Sequence, residues 1–281
     1  MTGPVMAALS GGRIHLQHGP IDLVIGAEGA AREAALAAAR DRFDTVLTEL
    51  VAELPALRRP LGQPLDGAIA RHMAQACTRV AERAFVTPMA AVAGAVADTV
   101  LAAMVSAGRL TRAYVNNGGD IALHLARGRR FRVGLAGLDA SALGRAEISA
   151  GDGVGGIATS GRGGRSLSLG IADSVTVLAC DAATADVAAT LIANAVDLPD
   201  HPAVTRVPAQ AIQPDSDLGA RPVTQALGAL TRHEVHAALA AGLSRANALR
   251  ARGVIHSAAL VLRGQTVTTM ADDTAHPALM T

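Results

Sequence analysis

Eight of the twenty residues from Gly151 to Gly170 are glycine, and the run leads straight into an apolar strand, SVTVLAC, and then a helix opening, DAATADVAATLIANAV. A backbone this free of side chains can turn its amides toward one anion. Arg162 and Arg165 within the run would add guanidinium charge, so the stretch suits a phosphate or pyrophosphate. In the helix that follows, Asp186, Thr190 and Asn194 recur every four residues and share a face. A carboxylate and a hydroxyl beside phosphate oxygens form the hard-oxygen set that Mg²⁺ prefers. Plainer readings stand beside this one. The run matches neither GxxxxGK[ST] nor a properly placed GxGxxG, and Asp186 also suits a first helical turn capped by Asp181 or Thr184.

The 281 residues hold only four aromatic rings, Phe43, Phe85, Tyr114 and Phe131, so the interior must be filled by Ala, Val, Leu and Ile with close backbone approaches. The length fits one domain spanning 1–281, or two closely packed lobes, with 271–281 as a disordered tail. All 25 basic residues are arginine. That excludes a Schiff-base lysine, a P-loop lysine and a lysine general base within this chain. A net charge of +1, no basic tail and few stacking rings argue against nucleic acid as a partner. Cys77 and Cys180 lack CxxC spacing and read as reduced, small and buried. The N-terminus has no signal-peptide pattern and no run of about 18 uncharged apolar residues is evident, so the expectation is a cytoplasmic protein without a membrane partner.

Along the chain, Arg13–His18 and Ile21–Gly26 flank Gly19 and Pro20 as a hairpin, and a helix is expected over 28–54. A proline-rich connector, 55–64, leads to a second helix over 66–82. The segment MAAVAGAVADTVLAAMVSAG, 89–108, is a helix whose first half is almost free of side chains, able to admit a flat ligand or another backbone. Asp98 is its only charge and could be a solvated position. Strands follow at 112–115, 121–126 and 131–136, joined at the first turn by Asn116–Asp120. Residues 197–222 read as a connector and 231 onward as a helix, where His233 and His236 form an exposed pair without HExxH spacing. A closing hairpin is expected over 253–269.

Five segments occur in one order: PMAAVAGAVAD (88–98), VNNGGDIALHL (115–125), IATSG (157–161), SVTVLA (174–179) and ADVAAT (185–190). Together they resemble the ApbE-like superfamily, the magnesium-dependent FAD:protein FMN transferases, and the chain looks closest to a cytoplasmic branch of it. The resemblance implies an α+β fold with mixed or antiparallel sheets flanked by helices. It implies Mg²⁺ ligands at Asp186, Thr190 and the backbone near Val92. It places a flavin-nucleotide site along Asn116, Asn117, Gly118, Gly119 and Asp120 and along Thr159, Ser160 and Gly161.

Two departures bear on activity. Ala93 replaces the family's helix lysine, and the HIIDP segment expected after TSG is missing. The expectation is a protein that binds FAD or a related nucleotide with Mg²⁺ and can cleave its pyrophosphate, without transferring FMN to a protein threonine; no catalytic residue is assigned. The alternatives are a nucleotide- or pterin-binding protein of one-carbon cofactor biosynthesis and a catalytically silent dimeric scaffold. A homodimer is compatible with each.

Overall fold

The computed structural model describes residues 3–136, 142–164, 166–269 and 279–280. The chain runs β1 (Val5–Leu9), β2 (Arg13–His18), β3 (Ile21–Glu28), α1 (Arg32–Ala52), α2 (Leu54–Leu57), α3 (Ala68–Ala81), α4 (Val92–Ser106), β4 (Arg112–Asn117) and β5 (Asp120–Leu125). It continues through β6 (Arg130–Ala136), β7 (Ala142–Ser149), β8 (Gly156–Ser160), β9 (Ser174–Ala179), α5 (Ala182–Ala195), β10 (Val204–Pro208), α6 (Ala209–Ile212) and β11 (Pro222–Leu227). It closes with α7 (Arg232–Ala251), β12 (Ile255–Leu262), β13 (Gln265–Thr268) and β14 (Leu279–Met280). Of the expected tail, Leu279–Met280 pairs with β7, while 271–278 and 281 lie outside the described residues.

Nine strands form one sheet in the order β1-β2-β3-β4-β5-β8-β9-β12-β13. Every described pairing is antiparallel, so the fold is α+β with antiparallel rather than mixed sheets. The pleat divides the side chains between two cores. Ala122, Ala158, Val175 and Val177 face the helical layer, while Leu123, Ile157 and Leu178 pack with Ile148 and Phe131 of the β6–β7 ribbon on the other face.

α5 is the hub of the helical layer. Ten of its fourteen residues are buried, so it has almost no solvent face. The small residues that surround it follow from that. A Cβ on Gly94 would sit 2.6 Å from the Ala183 nitrogen, and a Cβ on Gly155, Gly156 or Gly170 would collide with backbone at Cys180, Ala182 or Ala193. The glycine-rich run is therefore not one open loop. It contains strand β8, and these glycines admit backbone rather than an anion.

The segment Pro88–Ser106 is long and apolar enough to cross a membrane by length and composition, contrary to the expectation that none is. Here it is a core helix preceded by a 3-10 turn, with Ala95, Val96, Ala97, Val100 and Met104 fully buried. The stretch 197–222 also departs from a plain connector, since β10 and β11 pair within and beyond it and α6 lies between them. Cys77 is buried as expected, but Cys180 is exposed. His233 and His236 are both exposed on α7.

Candidate functional site

α4 and α5 begin at the same place, and each supplies the other's cap. The first three amides of α5 have no intrahelical acceptor. Asp98 of α4 accepts from Ala182 N at 3.0 Å and Ala183 N at 2.9 Å, while the N-cap Asp181 accepts from Thr184 N at 2.6 Å. In return, Asp186 of α5 accepts from Gly94 N near the start of α4 at 3.1 Å. Asp98 is thus not a solvated position: part-buried, it caps a helix terminus and also bonds His72 Nε2 at 3.0 Å. Arg79 reaches Asp181 and Thr184, each at 3.0 Å.

The β4–β5 turn reaches the same corner from the sheet. Gly118 and Gly119 both have positive φ, 65° and 116°, as a two-residue hairpin turn between Asn117 and Asp120 requires. Asn116 Oδ1 accepts from Gly119 N at 2.8 Å and holds that turn. Asn117 donates from Nδ2 to Ala93 O at 3.1 Å and ties the turn to α4. Asp120 then faces α5 and accepts from Thr159 N at 3.2 Å.

Between these elements lies a cleft of about 440 Å³. Val92, Asp120, Ser160, Asp186, Thr190 and Asn194 line its polar side. Thr190 donates to Ser160 Oγ at 3.3 Å, and Asn194 Oδ1 accepts from Leu169 N at 3.0 Å. Phe85, Val86, Met89, Leu167, Leu169 and Leu191 supply an apolar wall. Burial pushes the Asp186 carboxyl well above the usual carboxylate range, and the charge of Asp120 raises it further, against the pull of the Gly94 and Ala93 amides.

The sequence-predicted residues divide into three groups. Val92, Asp120, Ser160, Asp186 and Thr190 meet in the cleft. Asn116, Asn117, Gly118, Gly119, Thr159 and Gly161 are not among its lining residues but shape the strand ends that carry Asp120 and Ser160. Arg162 does not face the cleft: its Nε and Nη2 both donate to Asp173 Oδ1, at 3.1 and 2.7 Å. An acid eleven residues on takes the guanidinium intended for an anion. Arg165 lies outside the described residues.

Sequence reasoning missed the outer wall, formed by Gln213, Ser216, Asp217 and Leu218. This segment is fastened by Thr87 Oγ1 donating to Asp217, by an Arg58–Asp215 pair at 2.7 Å, and by Arg221 stacked 3.3 Å over the Phe85 ring. Nothing local marks a proline- and aspartate-rich stretch as a cleft wall. Only its docking onto 85–87 does.

The fold is α+β, with a cleft lined by carboxylates and hydroxyls where two helices begin beside the β4–β5 turn. The family model described as AbpE bacteria matches residues 6–268, and the chain belongs to that family, within the ApbE-like superfamily. It is 40% identical over 125 residues to a UPF0280 protein of Methanothermobacter thermautotrophicus, covering 44% of this chain and 48% of that protein. It is likewise 40% identical over 141 residues to a UPF0280 protein of Methanothrix thermoacetophila, covering 49% and 56%. The chain thus spans about half the length of the curated relatives it matches. Its fold is similar to the crystal structure of the ApbE protein from Thermotoga maritima, with TM-score 0.52 and 11% identity over 94% of this chain and 96% of that one.

Proposed function

We propose that the cleft binds a flavin nucleotide, FAD or a close relative, through a Mg²⁺ ion held against the ligand's phosphates by Asp186, Thr190 and the backbone at Val92, with Asp120 beside them. One observation carries the reading: Asp186 and Asp120 line one corner of the cleft, where burial and the charge of Asp120 disfavour the Asp186 carboxylate and the remaining donors are hydroxyls and backbone. A cation would relieve that cost, and the donors are the hard oxygens Mg²⁺ takes. When bound, Mg²⁺ supplies charge stabilisation to the phosphate being cleaved.

The chain's own groups do the rest. The Gly94 and Ala93 amides fix the Asp186 carboxylate, and Ser160 Oγ accepts the hydrogen bond that the Thr190 hydroxyl donates, which leaves a Thr190 lone pair free for a cation. The apolar wall from Phe85 to Met89 suits a flat ring, and the Asn194 and Gln213 amides suit its polar edge. Transfer of FMN to a protein hydroxyl is not part of this proposal. Ala93 replaces the family's lysine, no lysine exists in these 281 residues, and the HIIDP segment is missing.

Calorimetric titration of FAD with and without Mg²⁺ tests the reading. Asp186→Asn keeps an acceptor for Gly94 N but removes the charge, and should weaken Mg²⁺-dependent binding at least about tenfold, or about 1.4 kcal/mol. Equal affinity in variant and wild type overturns the metal assignment. Incubation with FAD, Mg²⁺ and a target-motif substrate should release AMP at most, with no covalently fluorescent band on a denaturing gel.

A further inference from the structure

We propose that Asp217 selects the ligand by its sugar: its carboxylate accepts from neighbouring hydroxyls on the ribityl chain or the ribose of the nucleotide. The outer wall then reads the ligand as well as enclosing it. This inference rests on the flavin-nucleotide reading of the cleft and names the part of that ligand which the wall meets.

Asp217 lines the cleft and is part-buried. Among the described residues its side chain has one hydrogen-bond partner, Thr87, whose Oγ1 donates to Asp217 Oδ2. The other oxygen, Oδ1, accepts nothing from the described residues. Both arginines of the same wall are engaged elsewhere, Arg58 on Asp215 at 2.7 Å and Arg221 over the Phe85 ring at 3.3 Å. A carboxylate oxygen drawn partly out of water with no protein donor carries a cost that a donor on the ligand would remove. The backbone under it is braced. Ser216 N donates to Gln213 O at 2.9 Å, Leu218 N to Ser216 Oγ at 3.3 Å and Gly219 N to Ser216 O at 3.1 Å.

The place of Asp217 along the cleft decides which donors it meets. The cleft-lining strip from Phe85 to Ala93 runs from the apolar wall to the metal corner, and Thr87, which holds Asp217, lies on it between Phe85 and Val92. Five residues of 3-10 and α-helical backbone advance roughly 8 to 10 Å. A ligand with its phosphate at Val92 and Asp186 and its ring toward Phe85 therefore passes its middle beside Asp217. In a flavin nucleotide that middle is a sugar, ribityl on one side of the pyrophosphate and ribose on the other. Phosphate oxygens and the imide carbonyls of an isoalloxazine are acceptors, which a carboxylate repels. Vicinal hydroxyls set two donors side by side, and one carboxylate takes both, as an acidic side chain does with ribose in dinucleotide sites.

Calorimetry of the full chain with Mg²⁺ and three ligands gives the test: FAD, FAD carrying a 2′,3′-dideoxyribose, and FAD with a plain pentyl linker in place of ribityl. Wild type should bind one of the two altered ligands about tenfold more weakly than FAD, and which one it is assigns the sugar. Asp217→Asn keeps an acceptor for Thr87. It should weaken FAD about tenfold and bind FAD and that altered ligand within about twofold of each other. A purely structural Asp217 would instead weaken all three ligands alike. Wild-type binding that is indifferent to both sugar changes overturns the proposal and leaves the flavin reading standing, and this outcome depends on no variant folding. An Asp217→Asn protein that separates FAD from the altered ligand as widely as wild type does also overturns it. Absence of FAD binding by wild type in Mg²⁺ refutes the flavin reading and this proposal with it.

Discussion

Replacing Asp98 by Ala tests whether the start of α5 is held from α4. The carboxylate is the acceptor for two amides, Ala182 N and Ala183 N, on residues that are fully buried. Each orphaned buried donor costs about 1 to 3 kcal/mol, while removing the part-buried charge returns part of its desolvation, so the net loss should be about 2 to 4 kcal/mol. Unfolding entropy of about 2.1 cal/mol/K per residue gives a 281-residue chain about 0.6 kcal/mol per degree, so the ligand-free protein should melt about 3 to 7 °C lower. Asp98→Asn offers one acceptor oxygen and turns an NH₂ toward the other amide, so it should lose nearly as much. Thermal and urea unfolding followed by circular dichroism measure both variants. An Asp98→Ala protein within about 0.5 kcal/mol of wild type at unchanged m would refute the capping argument.

Gly94→Ala should destabilise by about 1 to 3 kcal/mol or more, because its Cβ would stand 2.6 Å from Ala183 N and must part α4 from α5; a melting point equal to wild type would show that the crossing has slack. His72 carries a pH effect of defined sign. Its bond to Asp98 raises its pKa above the ordinary histidine value despite burial. Its stabilising contribution is therefore full below about pH 6.5 and is lost as pH rises through the folded pKa. The stability gap between wild type and His72→Gln should narrow as pH is raised above 6.5, and a gap that widens over that range would contradict the pairing.

The parts of this protein that were legible in the sequence are those set by local pattern. The hairpin over Arg13–Gly26, the helices around Leu36 and Met73, and the Asn-Gly-Gly turn before Asp120 follow from periodicity and turn chemistry. Asp186 and Thr190 were legible from their four-residue spacing, while Asp120 and Ser160 joined them only because five separated segments kept one order. What failed was whatever depends on a distant partner. Glycines that suggested an anion cradle answer to the backbone of α5, and Arg162 answers to Asp173. Asp98 looked like a stray charge because its acceptor role is toward residues 84 and 85 positions away. The wall at 213–218 was invisible for the same reason, since it acquires meaning only where Asp217 meets Thr87.

The exchange of caps between α4 and α5 has a consequence for motion. Neither helix can slide, rotate or fray at its first turn without surrendering bonds on both, so the two termini move as one piece. A ligand that draws on Asp186 pulls at the hold on Gly94, and that pull passes at once to the helix carrying Asp98. The paired helix ends are thus the fixed anvil of the cleft, and the 213–218 wall stands as its opposite bank.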